Sequence, residues 1–395
     1  MDTKLIDELT REVDERILIQ HLAEMVAIKS ENPFDEEPRE GFREKEMADY
    51  FMEQMHRLGL EVSSRDVRPH RPNVFGLRKG TGKAISIMLA GHMDTARTDG
   101  YPDAYDIREV DGKIYGRGAC DMKAALAANL EVVRILNKAG VNLKGDLYLA
   151  GIVDEEYGLL GSLDIGQNGP WADQGIIGEP TDLLVCPANK GRVSTFIRTF
   201  GKATHSSVPE KGENAIVRMA DVIDAFSGYN DDLQRAEPHE LCGHGRFTPG
   251  VIRGGVQVNM VPDLCELEVD RRTLPGETKS SVYAEFAKIL DPLVERDPGF
   301  KYEITEPTWF VAPNDVSVKE PAVLSLLSAY ETILGHKTQV TAFPGGSDAP
   351  NMGFPNVVCG PGSIGQAHST NEYVEIKQLI DAAKIYLNVV LSILG

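Results

Sequence analysis

Apolar positions along the chain follow two alternating patterns. Around residues 13–28 and 42–58 they recur at helical spacing, with Phe42, Met47, Phe51 and Met55 on one side. Two short apolar runs, Ile85–Ala90 and Leu147–Val153, have the length of buried strands, and Gly91 stops the first. Between them Met122–Ala139 is rich in Ala and Leu and predicts a helix. Strand, helix, strand in this order builds a sheet of parallel strands covered by helices.

The middle of the chain changes character. Arg192–Thr199 and Cys265–Arg271 alternate apolar and polar residues as half-exposed strands do, and helical stretches lie near 213–227 and 279–292. This predicts a smaller α+β domain with an antiparallel sheet, inserted at 191–307 into a larger domain made of 1–190 and 308–395. Beyond it Pro321–Leu334 is helical, and 375–394 closes the chain as an amphipathic helix. The fold class is therefore α/β, with a mixed, mostly parallel central sheet flanked by helices.

Composition narrows the partners. The 395 residues include 41 Lys and Arg against 60 Asp and Glu, a net charge of −19. A nucleic acid or an anionic membrane demands a basic surface, so neither is expected. No apolar run of membrane-spanning length occurs, and Met1-Asp2-Thr3-Lys4 opens a charged segment where a secretory leader would be apolar. Cys120, Cys186, Cys242, Cys265 and Cys359 form no closely spaced pair, which suits free thiols in a reducing cytoplasm.

Several acidic and histidine clusters follow the strand-like runs. His92 and Asp94 lie just after Ala90; on extended backbone they share a side, where a carboxylate can orient an imidazole toward a metal. Asp121 follows Gly116-Arg117-Gly118 and, alone, reads as a helix N-cap. That glycine pair is not a dinucleotide fingerprint, since a third glycine is missing and no strand is expected to lead into it. Asp154, Glu155 and Glu156 end the second strand; on extended backbone Glu155 and Glu156 point opposite ways, and the three charges need a cation or solvent. Glu179 follows Ile176-Ile177, and His368 sits in a glycine-dense loop. Upstream, Gly346 and Ser347 within Gly345–Asp348 could present backbone amides to an anion. Imidazole with hard oxygen donors suits Zn²⁺, Mn²⁺ or Co²⁺, and a carboxylate shared by two ions is the arrangement of two-metal hydrolysis.

In sequence order, Gly91-His92-x-Asp94-Thr95, Gly-Arg-Gly-x-x-Asp121-Met-Lys, Asp154-Glu155-Glu156-x-Gly and Gly-Glu179-Pro-Thr resemble the family of acetylornithine deacetylase, succinyl-diaminopimelate desuccinylase, aminoacylase and glutamate carboxypeptidase. Lys202-Ala-Thr-His205-Ser-Ser-x-Pro209, Gly212–Ile216, Asn259-x-Val-Pro-Asp and Ala367-His368-x-x-Asn-Glu372-Tyr continue the resemblance over nearly the whole chain. It implies a dinuclear metallohydrolase, most naturally with two Zn²⁺, acting on an N-acyl amino acid, or alternatively on a dipeptide or peptide C-terminus. His92 and Glu179 would hold one ion, Glu156 and His368 the other, and Asp121 both. Asp94 would orient His92, and Glu155 would act as general base and acid. The inserted domain becomes a lid that also dimerises, and His205 would steady the oxyanion in the partner subunit's site. Asn259 and Arg272 would bind a substrate carboxylate, with Arg271 left open as the alternative because an arginine stands where relatives have a small apolar residue. The peptide after Asp121 is expected to be cis.

Overall fold

The strand Ile87–His92 lies near the middle of a six-stranded sheet in the computed structural model, which describes residues 3–34 and 44–395. Phe42, expected on an apolar helix side, lies outside the described residues. The sheet order is Glu61–Arg68, Arg71–Arg78, Leu147–Ile152, Ile87–His92, Gln174–Ile177 and Asn356–Val358. The last four pair in parallel and the first two antiparallel, so the sheet is mixed and mostly parallel.

Alternation explains why these strands read as unbroken apolar runs. Ile87, Leu89, Leu147 and Leu149 belong to the large core on one face, packed by the helices Glu15–Ala27, Glu44–Arg57, Lys123–Lys138, Pro321–Leu334 and Ile376–Leu394. Met88, Ala90, Ala150 and Ile152 face a second core with Ile165, Ile177 and Val358. Strands covered on both faces carry no polar side. A β-carbon on Gly178 would lie 2.2 Å from that of Ala125, so the glycine and the alanine-rich helix allow close packing at the strand ends.

The chain forms two compact units, one of Met1–Ala188, Asp315–Phe343 and Ser347–Gly395, the other of Asn189–Asn314 and Pro344–Gly346. The second unit holds an antiparallel sheet ordered Arg246–Gly254, Leu264–Thr273, Gly191–Phe200 and Lys301–Ile304, with Trp309–Val311 also pairing with Gly191–Phe200. Its core joins Val193, Ile197, Leu267 and Val269 to Met219, Val222, Phe286 and Leu290 of the helices Ala215–Ala225 and Lys279–Arg296. The Asn214 side chain caps the first helix by accepting the amides of Ile216 and Val217. Thr278 and Ser281 form a capping box on the second. That helix runs past the expected end at 292, through Pro292 to Arg296, because Leu293 is still buried.

Two sequence readings change here. The strand Lys113–Tyr115 leads directly into Gly116, contrary to expectation; it belongs to a small antiparallel sheet with Arg108–Val110 and Tyr373–Glu375. The hairpin Glu61–Arg68 and Arg71–Arg78 was not foreseen, since its outer strand is largely exposed and mostly polar.

Candidate metal centre

Three neighbouring parallel strands deliver their carboxyl ends to one place, the usual location of sites in open α/β sheets. His92 is the last residue of its strand; Asp154, Glu155 and Glu156 follow Leu147–Ile152; Glu179 follows Gln174–Ile177. Asp121 comes from the segment before the helix Lys123–Lys138, and His368 from the loop between Asn356–Val358 and the closing helix. The Asp121–Met122 peptide is cis.

Donor atoms of His92, Asp121 and Glu179 lie within 4.8 Å of one another, as do those of Asp121, Glu156 and His368. Asp121 belongs to both groups and turns a different oxygen to each. Its Oδ1 is 3.0 Å from His92 Nε2, and its Oδ2 is 3.6 Å from His368 Nε2. Glu179 Oε2 lies 3.8 Å from His92 Nε2, and Glu156 Oε2 lies 2.9 Å from His368 Nε2. Asp121, Glu156, Glu179 and His92 are buried, whereas the His368 side chain is 60% exposed.

Asp121 does not cap the helix. Met122 occupies the N-cap position without a side-chain bond, because the Asp121 carboxylate is turned to the two imidazoles. Nor do Glu155 and Glu156 diverge through a strand pleat. Asp154 has a φ of +68°, and a turn through residues 155–158 separates the two side chains. Asp94 holds this turn, its carboxylate accepting the amides of Glu155 at 3.2 Å and Glu156 at 3.1 Å. Its Oδ1 also stands 3.6 Å from His92 Nδ1, which is 3.0 Å from the Asp94 carbonyl.

The electrostatics favour a cation. Burial, reinforced by Asp121 and Asp348 and opposed by His92, pushes Glu179 up to about 8. Burial, then Glu179, raises Glu155 well above the carboxylate range, and burial also raises Glu156. Against its own burial, Glu179, Asp121 and Asp94 hold His92 well above the imidazole range. Glu156 Oε1 and Glu179 Oε1 are buried without a hydrogen-bond partner. Two orphaned carboxylate oxygens among mutually repelling acids, beside two imidazoles, fit a pair of divalent cations. The Glu155 side chain, 15% exposed, makes no hydrogen bond among the described residues, and its Oε2 is 4.0 Å from His92 Nε2.

Other predicted residues lie in the second unit or beside it. The His205 ring is exposed, its Nδ1 2.7 Å from Ser207 Oγ. His205 forms a bridge with Met260, and Ser206 donates its amide to the Asn259 carbonyl, so His205 and Asn259 sit on adjoining loops. Arg271 is fully buried: its Nε donates to Tyr229 Oη at 3.0 Å and its Nη2 to Glu277 at 2.5 Å. Arg272 is 38% exposed and donates to Asp270 at 2.8 Å, so of the two arginines it is the accessible one. Gly346 packs near Val311, while Ser347 is buried and its hydroxyl accepts the Ala349 amide at 3.3 Å.

Sequence reading missed the supports. Asn32 donates to Asp94 at 2.7 Å and to Asp154 at 3.1 Å. Arg71 joins Asp154 at 2.6 Å and also Glu44. Glu372 accepts the amides of Cys120 and Asp121 at 2.9 and 3.0 Å, and Arg117 at 2.6 Å. Asp348 is buried, and burial, opposed by Ser162 and His92, pushes its carboxyl up to about 7. Arg117, Asp348 and Glu372 lay within the motifs quoted above, though without an assigned role; Asn32, Glu44 and Arg71 become visible only when distant segments meet.

A family model described as peptidase family M20/M25/M40 matches residues 88–392. A tripeptidase from Staphylococcus aureus subsp. aureus Mu50 has a similar fold, with a TM-score of 0.78 at 23% identity over 96% of this chain and 99% of that one. The aminopeptidase PepT from Bacillus cereus ATCC 10987 gives 0.79 at 22% identity over 96% and 99%. A metallo-carboxypeptidase from Sulfolobus solfataricus gives 0.76 at 18% identity over 94% and 98%.

Proposed function

We propose that this chain, which belongs to peptidase family M20/M25/M40 and is therefore a hydrolase of amide bonds, acts on a small substrate bearing a free carboxylate, foremost an N-acyl amino acid. One observation carries the reading: Asp121 turns one oxygen to His92 and the other to His368, as a carboxylate shared by two cations would. His92 and Glu179 would hold one ion and Glu156 and His368 the other. Zn²⁺ is the first choice, and Co²⁺ or Mn²⁺ suit the same donors. When bound, such ions supply Lewis acidity to the attacking water and the scissile carbonyl.

The remaining work falls to side chains. Glu155, whose side chain makes no hydrogen bond among the described residues, takes a proton from the attacking water and returns it to the departing nitrogen. Asp94 fixes the His92 ring and the Glu155–Glu156 backbone together. His205, whose Nδ1 is engaged by Ser207, is proposed to donate from Nε2 to the tetrahedral oxyanion in the partner subunit's site. Asn259 and Arg272 are assigned to the substrate carboxylate, and Gly346 and Ser347 contribute through backbone amides alone.

A homodimer through the second unit is proposed as well. Among the described residues its edge strand Arg246–Gly254 pairs on one side only, and Val251, Ile252, Val256, Val258 and Met260 are exposed along or beside it. A cytoplasmic location is proposed from five buried cysteines with no disulfide. No helix among the described residues is long and apolar enough to cross a membrane.

A second reading, a dipeptidase, tripeptidase or carboxypeptidase, is favoured by the fold likenesses above. A panel of N-acyl amino acids, dipeptides and tripeptides, offered to chelator-stripped protein reloaded with Zn²⁺, Co²⁺ or Mn²⁺, separates the two. Turnover of peptides alone selects the second reading, and turnover of neither class overturns both.

A further inference from the structure

The sheet of the second unit distributes charge unevenly on the face that its helices leave uncovered. Toward one end acids and bases are matched. Arg198 pairs with Glu266 at 2.8 Å and Glu303 at 3.5 Å, and Arg253 approaches Glu268 at 3.9 Å. Toward the other end the register sets Arg246 opposite Arg272, and Arg272 opposite Arg192. Residues directly opposed across strands share a face, so three guanidinium groups stand in one row. Their chain neighbours Phe247, Arg271 and Val193 are buried, as alternation requires.

One carboxylate answers this row. Asp270 accepts Arg272 at 2.8 Å and Arg192 at 2.5 Å, and Arg246 is exposed with no ion-pair partner among the described residues. The Arg192 guanidinium carbon lies 4.5 Å from the centre of the Trp309 ring, within reach of a cation–π contact. Lys190 adds a further cation, its Nζ donating to the His244 carbonyl at 2.6 Å. After burial, Arg246 and Arg272 contribute to holding that ammonium below its ordinary range. Like charges placed side by side on a sheet are destabilising, and this row occurs in a chain of net charge −19. The excess positive charge has no structural counterpart in the unit, whereas guanidinium forks match carboxylates in geometry and charge.

We propose that Arg192 and Arg246 extend the carboxylate site assigned to Arg272, so that the stripe selects dicarboxylate substrates: amides or peptides whose acid-side residue is Glu or Asp. This selectivity rests on the hydrolase reading above. The test compares kcat/KM for N-acetylglutamate with N-acetylleucine, and glycylglutamate with glycylleucine, in the wild type, Arg192→Gln, Arg246→Gln and the control Arg253→Gln. Each of the first two should lower the acidic-to-neutral ratio about tenfold, the size of one charge-assisted hydrogen bond, and the control should not. The wild-type ratio should also fall as ionic strength rises. Calorimetric titration with glutarate, which has no amide to cleave, reads the stripe without turnover. Equal glutarate affinity in the wild type and the Arg192→Gln/Arg246→Gln double variant overturns the stripe, as does equally strong binding of inorganic phosphate. Glutarate binding that the double variant loses, with no amide cleaved by any protein, keeps the dicarboxylate site and overturns the hydrolase reading.

Discussion

The Asp94 carboxylate accepts the backbone amide of Glu156 at 3.1 Å, so the side chain beside the His92 ring also fixes the turn that presents Glu156. Despite full burial, His92, Asn32 and the Glu156 amide hold Asp94 below the ordinary carboxylate range. Asp94→Ala should therefore disturb both donor groups at once. We expect metal affinity or activity to fall about 10–100-fold, the usual range for a residue supporting metal ligands. Elemental analysis with steady-state kinetics checks this, and unchanged values in both remove Asp94 from its role.

Adjacent glutamates are assigned different tasks. Glu155→Gln should keep its metal and lose about 10²–10⁴ in kcat, the scale of a positioned general base. Glu156→Ala should instead lose metal, because it removes a donor that stands 2.9 Å from His368 Nε2. Metal content measured on both variants separates the roles, and identical losses would merge them.

Glu372 is buried with three hydrogen bonds, one from the Asp121 amide and one from Arg117. Glu372→Ala strands the buried Arg117 charge, which should lower unfolding stability by about 3–5 kcal/mol. Urea titration reads that loss directly. A variant as stable as the wild type would show that the pair carries no net load.

Arg271 and Arg272 should separate by assay. Arg271→Ala leaves Glu277 and the Tyr229 hydroxyl without their buried partner and should destabilise the fold by about 3–5 kcal/mol. Arg272→Ala removes an accessible guanidinium and should raise KM while leaving the unfolding free energy within about 0.5 kcal/mol of wild type. The reverse pattern would exchange their assignments.

Burial raises Asp348 from 3.8 to about 7 in the folded chain. Between those values the folded state keeps a proton that the unfolded state has released. Its contribution is thus fully present below about 4, falls as pH rises through that window, and levels off above about 7. Asp348→Asn should flatten this slope in metal-free protein, measured by urea unfolding at several pH values. An unaltered slope assigns it to other groups.

Much of the fold was legible because of how its strands are covered. Ile87–His92 and Leu147–Ile152 are buried on both faces and appear as plain apolar runs, and the helix Lys123–Lys138 shows through its alanines. Strand-end positions of His92, Glu156 and Glu179 followed from those runs. The local geometry did not: Asp121 abandons capping for two imidazoles, and Asp154 turns the backbone with positive φ. The supports were hidden for another reason. Arg71 meets Asp154 across 83 residues, and Glu372 meets the Asp121 amide across 251, and no local pattern encodes such pairings. The exposed outer strand Glu61–Arg68 lacks the apolar alternation that would have announced it.

The two donor groups close loops of unequal kind. His92, Asp121 and Glu179 lie in one continuous stretch ahead of the second unit, whereas His368 returns only after the chain has passed through Asn189–Asn314. Closing a longer, less ordered loop carries a greater entropic penalty. Disorder in the inserted segment would thus lengthen the tether to His368 and leave the first trio connected as before. Partial denaturation would then empty the proposed paired centre asymmetrically, releasing an ion held by His368 ahead of one held by His92.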